Sequence, residues 1–217
     1  AFKALTGDDK AYLSSLKKRN KESRQGQTSL FSGDAGVALA PLAAKAEQVD
    51  AIEDDTVVAV QIKATRWNEL IMSSDYQAAV DAADAWCAAF IAPKRPGSAE
   101  VTHVEFDLVR SRSDRVDERT RTVVSELARE SGFLHWHLAF LDVYANRDGF
   151  DVILGNPPWL SFGGRQQTPL DPRVLQFLKV VYPSISAWPA SHSAFLLVSV
   201  LHTRVGGRIG LVLPYQV

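Results

Sequence analysis

The chain has 217 residues, with 24 lysines and arginines against 25 aspartates and glutamates, for a formal charge of −1. That balance excludes nucleic-acid binding driven by bulk charge, so any such contact needs local patches or regions outside the chain. Apolar residues make up 46% and charged residues 23%, the composition of a globular protein able to bury a core in one or two domains, and no stretch reaches the roughly 18 apolar residues of a membrane span.

Residues 8–25 are predicted as a polar helix. Its Lys10, Lys17, Lys18, Arg19, Lys21 and Arg24 read as a solvated face in preference to a phosphate-facing one. Residues 26–55, rich in Gly, Ser, Ala and acids, read as a long loop or linker with room for one short helix. From Thr56 to Ala92 the period is helical: Val57, Val60, Ala64, Trp67 and Ile71 recur at three and four, as do Val80, Ala83, Cys87 and Phe90. Ser73-Ser74-Asp75 supplies a break and an N-cap between two helices, and Pro93 to Gly97 ends the second. Cys87 lies in this apolar stretch and reads as a buried, inert thiol. As the sole cysteine it excludes an internal disulfide and fits a reducing cytoplasm, the compartment expected.

Dense mixed charge over residues 107–130, around Val116, Val123, Val124 and Leu127, predicts one exposed amphipathic helix whose arginines form surface pairs. Gly132 separates it from an aromatic-rich segment, 133–144, expected to be extended. Phe150-Asp151-Val152-Ile153-Leu154-Gly155 reads as a buried parallel strand, short and apolar with β-branched members. A polar loop at 160–172 ends in Asp171-Pro172, which opens a helix at 173–181. A second helix, 191–205, is expected to turn Ala194, Phe195, Leu197, Val198 and Leu201 inward and to stop at Gly206-Gly207. A strand at 208–213 follows.

Strand, crossover helix, strand is a right-handed parallel unit. The expected fold is thus α/β: the C-terminal portion as half of a doubly wound sheet, the N-terminal portion as a mainly helical insertion or neighbouring domain. The expected divisions are 1–55 as polar helix and linker, 56–130 as helical insertion, and 131–217 as the catalytic portion. The chain begins at Ala1 and stops at Val217 just after an apolar strand. A sheet cut there would bare unpaired edge groups, so a longer parent polypeptide is expected.

The chemistry concentrates in Asn156-Pro157-Pro158-Trp159, directly behind the 150–155 strand. Open α/β sheets bind ligands at the carboxyl ends of such strands. Consecutive prolines fix φ and hold the preceding residues extended, and their missing N–H groups leave the loop's carbonyls free to accept. Asn156 adds a side-chain carbonyl and Trp159 a flat apolar face. Two acceptors beside a stacking ring suit an exocyclic amine on a planar base.

Asn-Pro-Pro-aromatic after Gly149-Phe150-Asp151-Val152-Ile153-Leu154-Gly155 resembles the catalytic motif of S-adenosylmethionine-dependent amino-methyltransferases. More narrowly, it resembles the large adenine-specific (N6) DNA methyltransferases of restriction–modification and phage-defence systems. Supporting stretches are Leu16–Asn20 running to Ser29–Phe31, Ala83–Phe90, Leu134–Phe140 and Gly206–Pro214. The resemblance implies a Rossmann-like methyltransferase sheet, DNA as substrate, S-adenosylmethionine as cofactor, and other subunits of a defence system as partners. It implies that the adenine is flipped out of the duplex, that Trp159 stacks on it, and that the Asn156 side-chain oxygen and the Pro157 carbonyl accept from its amine. Pro158 keeps the loop rigid.

The cofactor loop of such a sheet is a strand, a Gly-x-Gly turn and an acidic residue at the next strand end. Phe31-Ser32-Gly33-Asp34-Ala35-Gly36, with Glu47 or Asp50 downstream, fits it poorly. The glycines are Gly-x-x-Gly, no apolar strand precedes them, and Pro41 interrupts the helix that should follow. Cofactor-binding residues are therefore unassigned, the main loop is expected outside the chain, and the chain alone is expected to be inactive. His135, His137 and Asp142 could suggest a metal, but no third histidine or cysteine stands near, and a structural role is the expectation. No Ser-His-Asp arrangement and no nuclease constellation is visible. Three alternatives remain: the same chemistry on RNA, the same chemistry on a protein glutamine, or a non-catalytic binding module with a vestigial loop. The helical insertion and the tryptophan of the motif lean toward the DNA enzymes.

Overall fold

The computed structural model describes residues 3–5, 7–25, 39–111, 114–146, 148–163, 168–186 and 189–215. It divides into two compact units, Thr6–Ala145 and a second made of Ala1–Leu5 with Asn146–Val217.

The first unit is helical. It contains α1 (Lys10–Gln25), α2 (Leu39–Asp50), α3 (Val57–Ile71), α4 (Ser74–Ile91), α5 (His103–Arg110), α6 (Glu118–Ser131) and α7 (Trp136–Ala139), and α8 (Leu141–Asn146) ends at its boundary. Side chains place the helix starts. Thr56 and Ser73 accept from the N–H groups of Ala59 and Tyr76 to open α3 and α4, Thr102 and Glu105 form a capping box at α5, and Asp117 caps α6. Gly132, in the left-handed region at φ 60°, closes α6.

Helix α4 organises the interior. Its Ala78, Ala79, Ala82, Ala85 and Ala88 are buried, and methyl side chains let neighbouring helices approach closely. One apolar cluster gathers Leu42, Ala43, Ala46, Leu70, Ala79, Leu138 and Leu141; a second gathers Ala85, Ala88, Ala92, Val101, Val109, Val116 and Val124. Helix α1 is tied on by polar contacts. Arg19 and the Tyr12 hydroxyl each reach Glu100 at 2.8 Å, and the Asn20 side chain accepts from the His103 N–H at 3.1 Å. The Arg19 guanidinium, helped by the Tyr12 hydroxyl, holds the Glu100 carboxyl below its usual range.

Three expectations change in this unit. Residues 39–50 form a full helix: Pro41 stands in its first turn, where no intrahelical N–H is needed, and Leu42, Ala43, Ala46 and Val49 give it a buried stripe. Residues 107–130 are two helices, because the capped starts at Thr102 and Asp117 set separate beginnings. The 133–144 segment is helical rather than extended. Leu138 and Leu141 go into the core three apart, and Trp136 stacks on Phe140 four apart at 5.5 Å, both helical spacings.

The second unit holds β1 (Phe150–Gly155), α9 (Pro172–Val181), a 3-10 turn at Pro183–Ser186, α10 (Ser191–His202) and β2 (Thr203–Leu211). The strands run parallel, with Ile153 opposite Ile209 and Gly155 opposite Leu211. Phe150 pairs with Thr203 but Val152 with Arg208, so β2 bulges between those pairs. Gly206-Gly207 lies in that bulge and does not terminate α10. Gly206 has φ 82°, and a Cβ on Gly207 would stand 2.5 Å from the Thr203 side chain. Helix α10 ends three residues earlier than expected, where the Thr203 hydroxyl donates to the Ser199 carbonyl at 2.7 Å. Its buried members are Ser191 and Ser199, whereas Phe195 and Leu201 are exposed. Two strands are too narrow to cover that face. Leu154, 78% exposed, and Val205, 97% exposed, lie open for the same reason.

Candidate active site

Strand β1 delivers the chain to Gly155, whose carbonyl accepts from the Val212 N–H at 3.0 Å just past the end of β2. The Asn156–Trp159 loop begins there. Pro157 is buried, while Asn156, Pro158 and Trp159 are exposed. Val212 also reaches the far end of the loop: its carbonyl accepts from the Trp159 indole N–H at 3.3 Å. The indole, in a residue 56% exposed, is thus held by its polar edge.

On its other side the loop meets the start of α10. The Ser191 hydroxyl donates to the Pro158 carbonyl and accepts from the Leu160 N–H at 2.9 Å. The Ser191 N–H donates to the Leu160 carbonyl at 2.8 Å, Ser161 bridges Ala190, and the Phe162 N–H reaches the Pro189 carbonyl at 2.7 Å. The Asn156 side chain and the Pro157 carbonyl have no hydrogen-bond partner among the described residues. All four residues singled out in the sequence therefore share one strand-end loop. Within it, the Pro158 carbonyl is occupied and the Asn156 amide and Pro157 carbonyl are open.

Residues 57–216 match the family model of the Eco57I restriction-modification methylase. The chain belongs to that family. No curated protein and no solved structure matches it. The Eco57I match runs from the first residue of α3 past β2, so it takes in α3 to α10 as well as the loop. Membership makes this a chain of the restriction–modification methyltransferase type, and the coarse α/β class agrees with it.

The remaining candidate groups of the Eco57I-family chain belong to the helical unit or fall outside the described residues. Glu47 and Asp50 lie exposed on α2 instead of at a strand end, and Phe31–Gly36 falls outside the described residues. Neither carboxylate therefore stands where the ribose-holding acid of such a cofactor loop is expected. His135 Nε2 pairs with Asp84 Oδ1 at 2.8 Å, His137 is exposed, and no cluster of three metal-ligating side chains occurs among the described residues. Cys87 is partly buried, and burial, reinforced by the Asp84 charge, pushes its thiol up to about 11. That is the inert thiol expected, since the thiolate is the reactive form. No helix of the described residues is long and apolar enough to cross a membrane.

Two residues that grip the loop, Ser191 and Val212, were not among the candidate site residues. Ser191 reads as an ordinary helix beginning, and Val212 as a member of the expected strand 208–213. The nearest hint is the chain order itself, because a residue just past β2 in a parallel pair must come beside the end of β1.

Proposed function

We propose that the protein methylates the N6 amine of adenine in DNA, with S-adenosylmethionine as methyl donor, within a restriction–modification or phage-defence system. On this reading β1 and β2 are neighbouring strands of a Rossmann-like sheet, DNA is the substrate, and other subunits of such a system are the partners. The observation that carries it is the division of the loop's polar groups. In an Eco57I-family chain, the Asn156 amide and the Pro157 carbonyl are open beside an edge-anchored indole, while the Pro158 carbonyl accepts from Ser191.

An adenine stacked and paired in a duplex cannot present its amine to that loop, so it is flipped out. Trp159 then stacks on the extruded ring. The Asn156 side-chain oxygen and the Pro157 carbonyl accept the two amine hydrogens, which orients the nitrogen lone pair away from the loop. They also stabilise the positive charge that develops on nitrogen as the methyl group arrives. Pro157 and Pro158 have no N–H to compete for these acceptors, and their fixed φ keeps the spacing without reorganisation. S-adenosylmethionine supplies the methyl group; these residues supply the acceptor side.

Asn156→Ala in the natural full-length protein is expected to lower methyl transfer at least about 100-fold, the range for losing one preorganised polar group at a reacting centre. Cofactor affinity should stay within a few-fold. Transfer of tritiated methyl groups to unmethylated phage DNA, followed by mass spectrometry of the digested nucleosides, reads both the rate and the modified atom. Near-normal transfer by Asn156→Ala, or methyl groups found on cytosine, overturns the assignment.

A further inference from the structure

We infer that Ser191 is a positioning residue for the catalytic loop, setting the backbone on both sides of Trp159. The inference rests on the methyltransferase reading for its catalytic consequence, but the geometry stands by itself. The peptide before Trp159 presents the Pro158 carbonyl and the peptide after it presents the Leu160 N–H; a single hydroxyl, Ser191 Oγ, binds both. A hydroxyl can donate once and accept as well, so one oxygen satisfies opposite polarities on either side of one residue. The Leu160 carbonyl at 3.2 Å is a second, weaker acceptor for the same hydrogen. The contact is reciprocal, because the Leu160 carbonyl caps the Ser191 N–H at the start of a helix whose N-cap, Ala190, has no side chain to do so.

Three consequences follow for the site. Ser191 is 5% exposed, so water is a poor substitute for its hydroxyl. The Pro158 carbonyl already accepts from Ser191, whereas the Pro157 carbonyl keeps both lone pairs for the incoming amine. The indole is fixed at three points: the Pro158 carbonyl and the Leu160 N–H through Ser191, and its own N–H through Val212. Ser191 touches no reacting atom on this geometry. It acts through the backbone that places Pro157 and Trp159.

The test compares Ser191→Ala, Ser191→Thr and Ser191→Val in the natural full-length protein, with tritiated S-adenosylmethionine and unmethylated phage DNA. Threonine keeps the hydroxyl, and valine has threonine's shape without it, so this pair decides the matter even where the alanine variant fails to fold. Ser191→Ala and Ser191→Val are expected to lower kcat about 10- to 100-fold, the penalty for a reacting group displaced by about an ångström. The KM for S-adenosylmethionine should change less than about three-fold, and Ser191→Thr should restore most of the rate. Hydrogen exchange at the Leu160 amide is expected to quicken in the alanine and valine variants and not in the threonine variant. Equal rates for threonine and valine, or a wild-type rate in both hydroxyl-free variants, overturn the inference while leaving the Asn156 assignment intact. Should the wild-type protein transfer no methyl group to DNA, the methyltransferase reading fails instead. Unchanged Leu160 exchange in the hydroxyl-free variants would then overturn the clamp as well, and quickened exchange would uphold it.

Discussion

Val212 meets the loop twice: its N–H holds the last carbonyl of β1 and its own carbonyl holds the Trp159 indole N–H. Because these are backbone groups, the side chain at 212 is free to vary, and the requirement falls on residue 159. Phenylalanine there keeps a stacking face and loses the anchor; alanine loses both. Base stacking on an aromatic ring contributes about 1–3 kcal/mol. Trp159→Ala should therefore weaken kcat/KM for DNA by about 5- to 150-fold. Trp159→Phe forfeits one long hydrogen bond at an exposed edge, and should stay within about ten-fold of wild type. Steady-state methylation of phage DNA separates the two, and an alanine variant as active as the phenylalanine one would remove Trp159 from the stacking role. At this scale the placement of Asn156-Pro157-Pro158-Trp159 at the end of a strand could be read from the sequence, because the apolar run and the prolines declare their own geometry. Ser191 could not, because its role depends on which loop the chain later brings against it.

The two strands owe their register to glycines at places where no side chain fits. Gly149 enters β1 at φ 131°, and a Cβ there would lie 2.6 Å from the His202 carbonyl oxygen and 2.9 Å from the Arg204 nitrogen. Both obstacles are backbone, at the junction where α10 passes into β2, and cannot swing aside. Gly149→Ala should cost about 1–3 kcal/mol through backbone strain alone. It should also disturb β1 and β2 ahead of the helices; faster amide exchange over residues 150–155 and 203–211, with α4 unchanged, is the expected pattern. Exchange identical to wild type across both strands would show that the junction relaxes around the methyl group. Elements with their own punctuation, such as α4 behind Ser73, β1, and α9 behind Asp171-Pro172, follow from local sequence. Those that depend on tertiary context do not. Gly206-Gly207 has the composition of a helix stop, and only pairing with β1 makes it a bulge. Pro41 and the aromatic run at 133–144 mislead by residue type, although Leu138/Leu141 and Trp136/Phe140 already stand at helical spacing.

Across the whole molecule, apolar burial is uneven between the units. The helical unit packs two clusters along α4, and Leu42, Leu138 and Leu141 are all 2% exposed or less. In the second unit Ile185 is the one large side chain buried to that degree among the described residues, and β1 and β2 leave Val152, Leu154 and Val205 open. Regions with few buried apolar contacts open at lower free energy than the cores around them. Open apolar side chains along a parallel pair are also what strands belonging to a wider, covered sheet would carry. Amide exchange of the 217-residue chain should therefore be slowest in α4, over residues 78–91, and faster in both strands even though Val152 to Gly155 pair in unbroken register with Arg208 to Leu211. Peptide-resolved deuterium uptake decides it. Strand amides as slow as those of α4 would mean that the open faces are covered in solution, and the two strands would then be stable to a degree their own contacts do not explain.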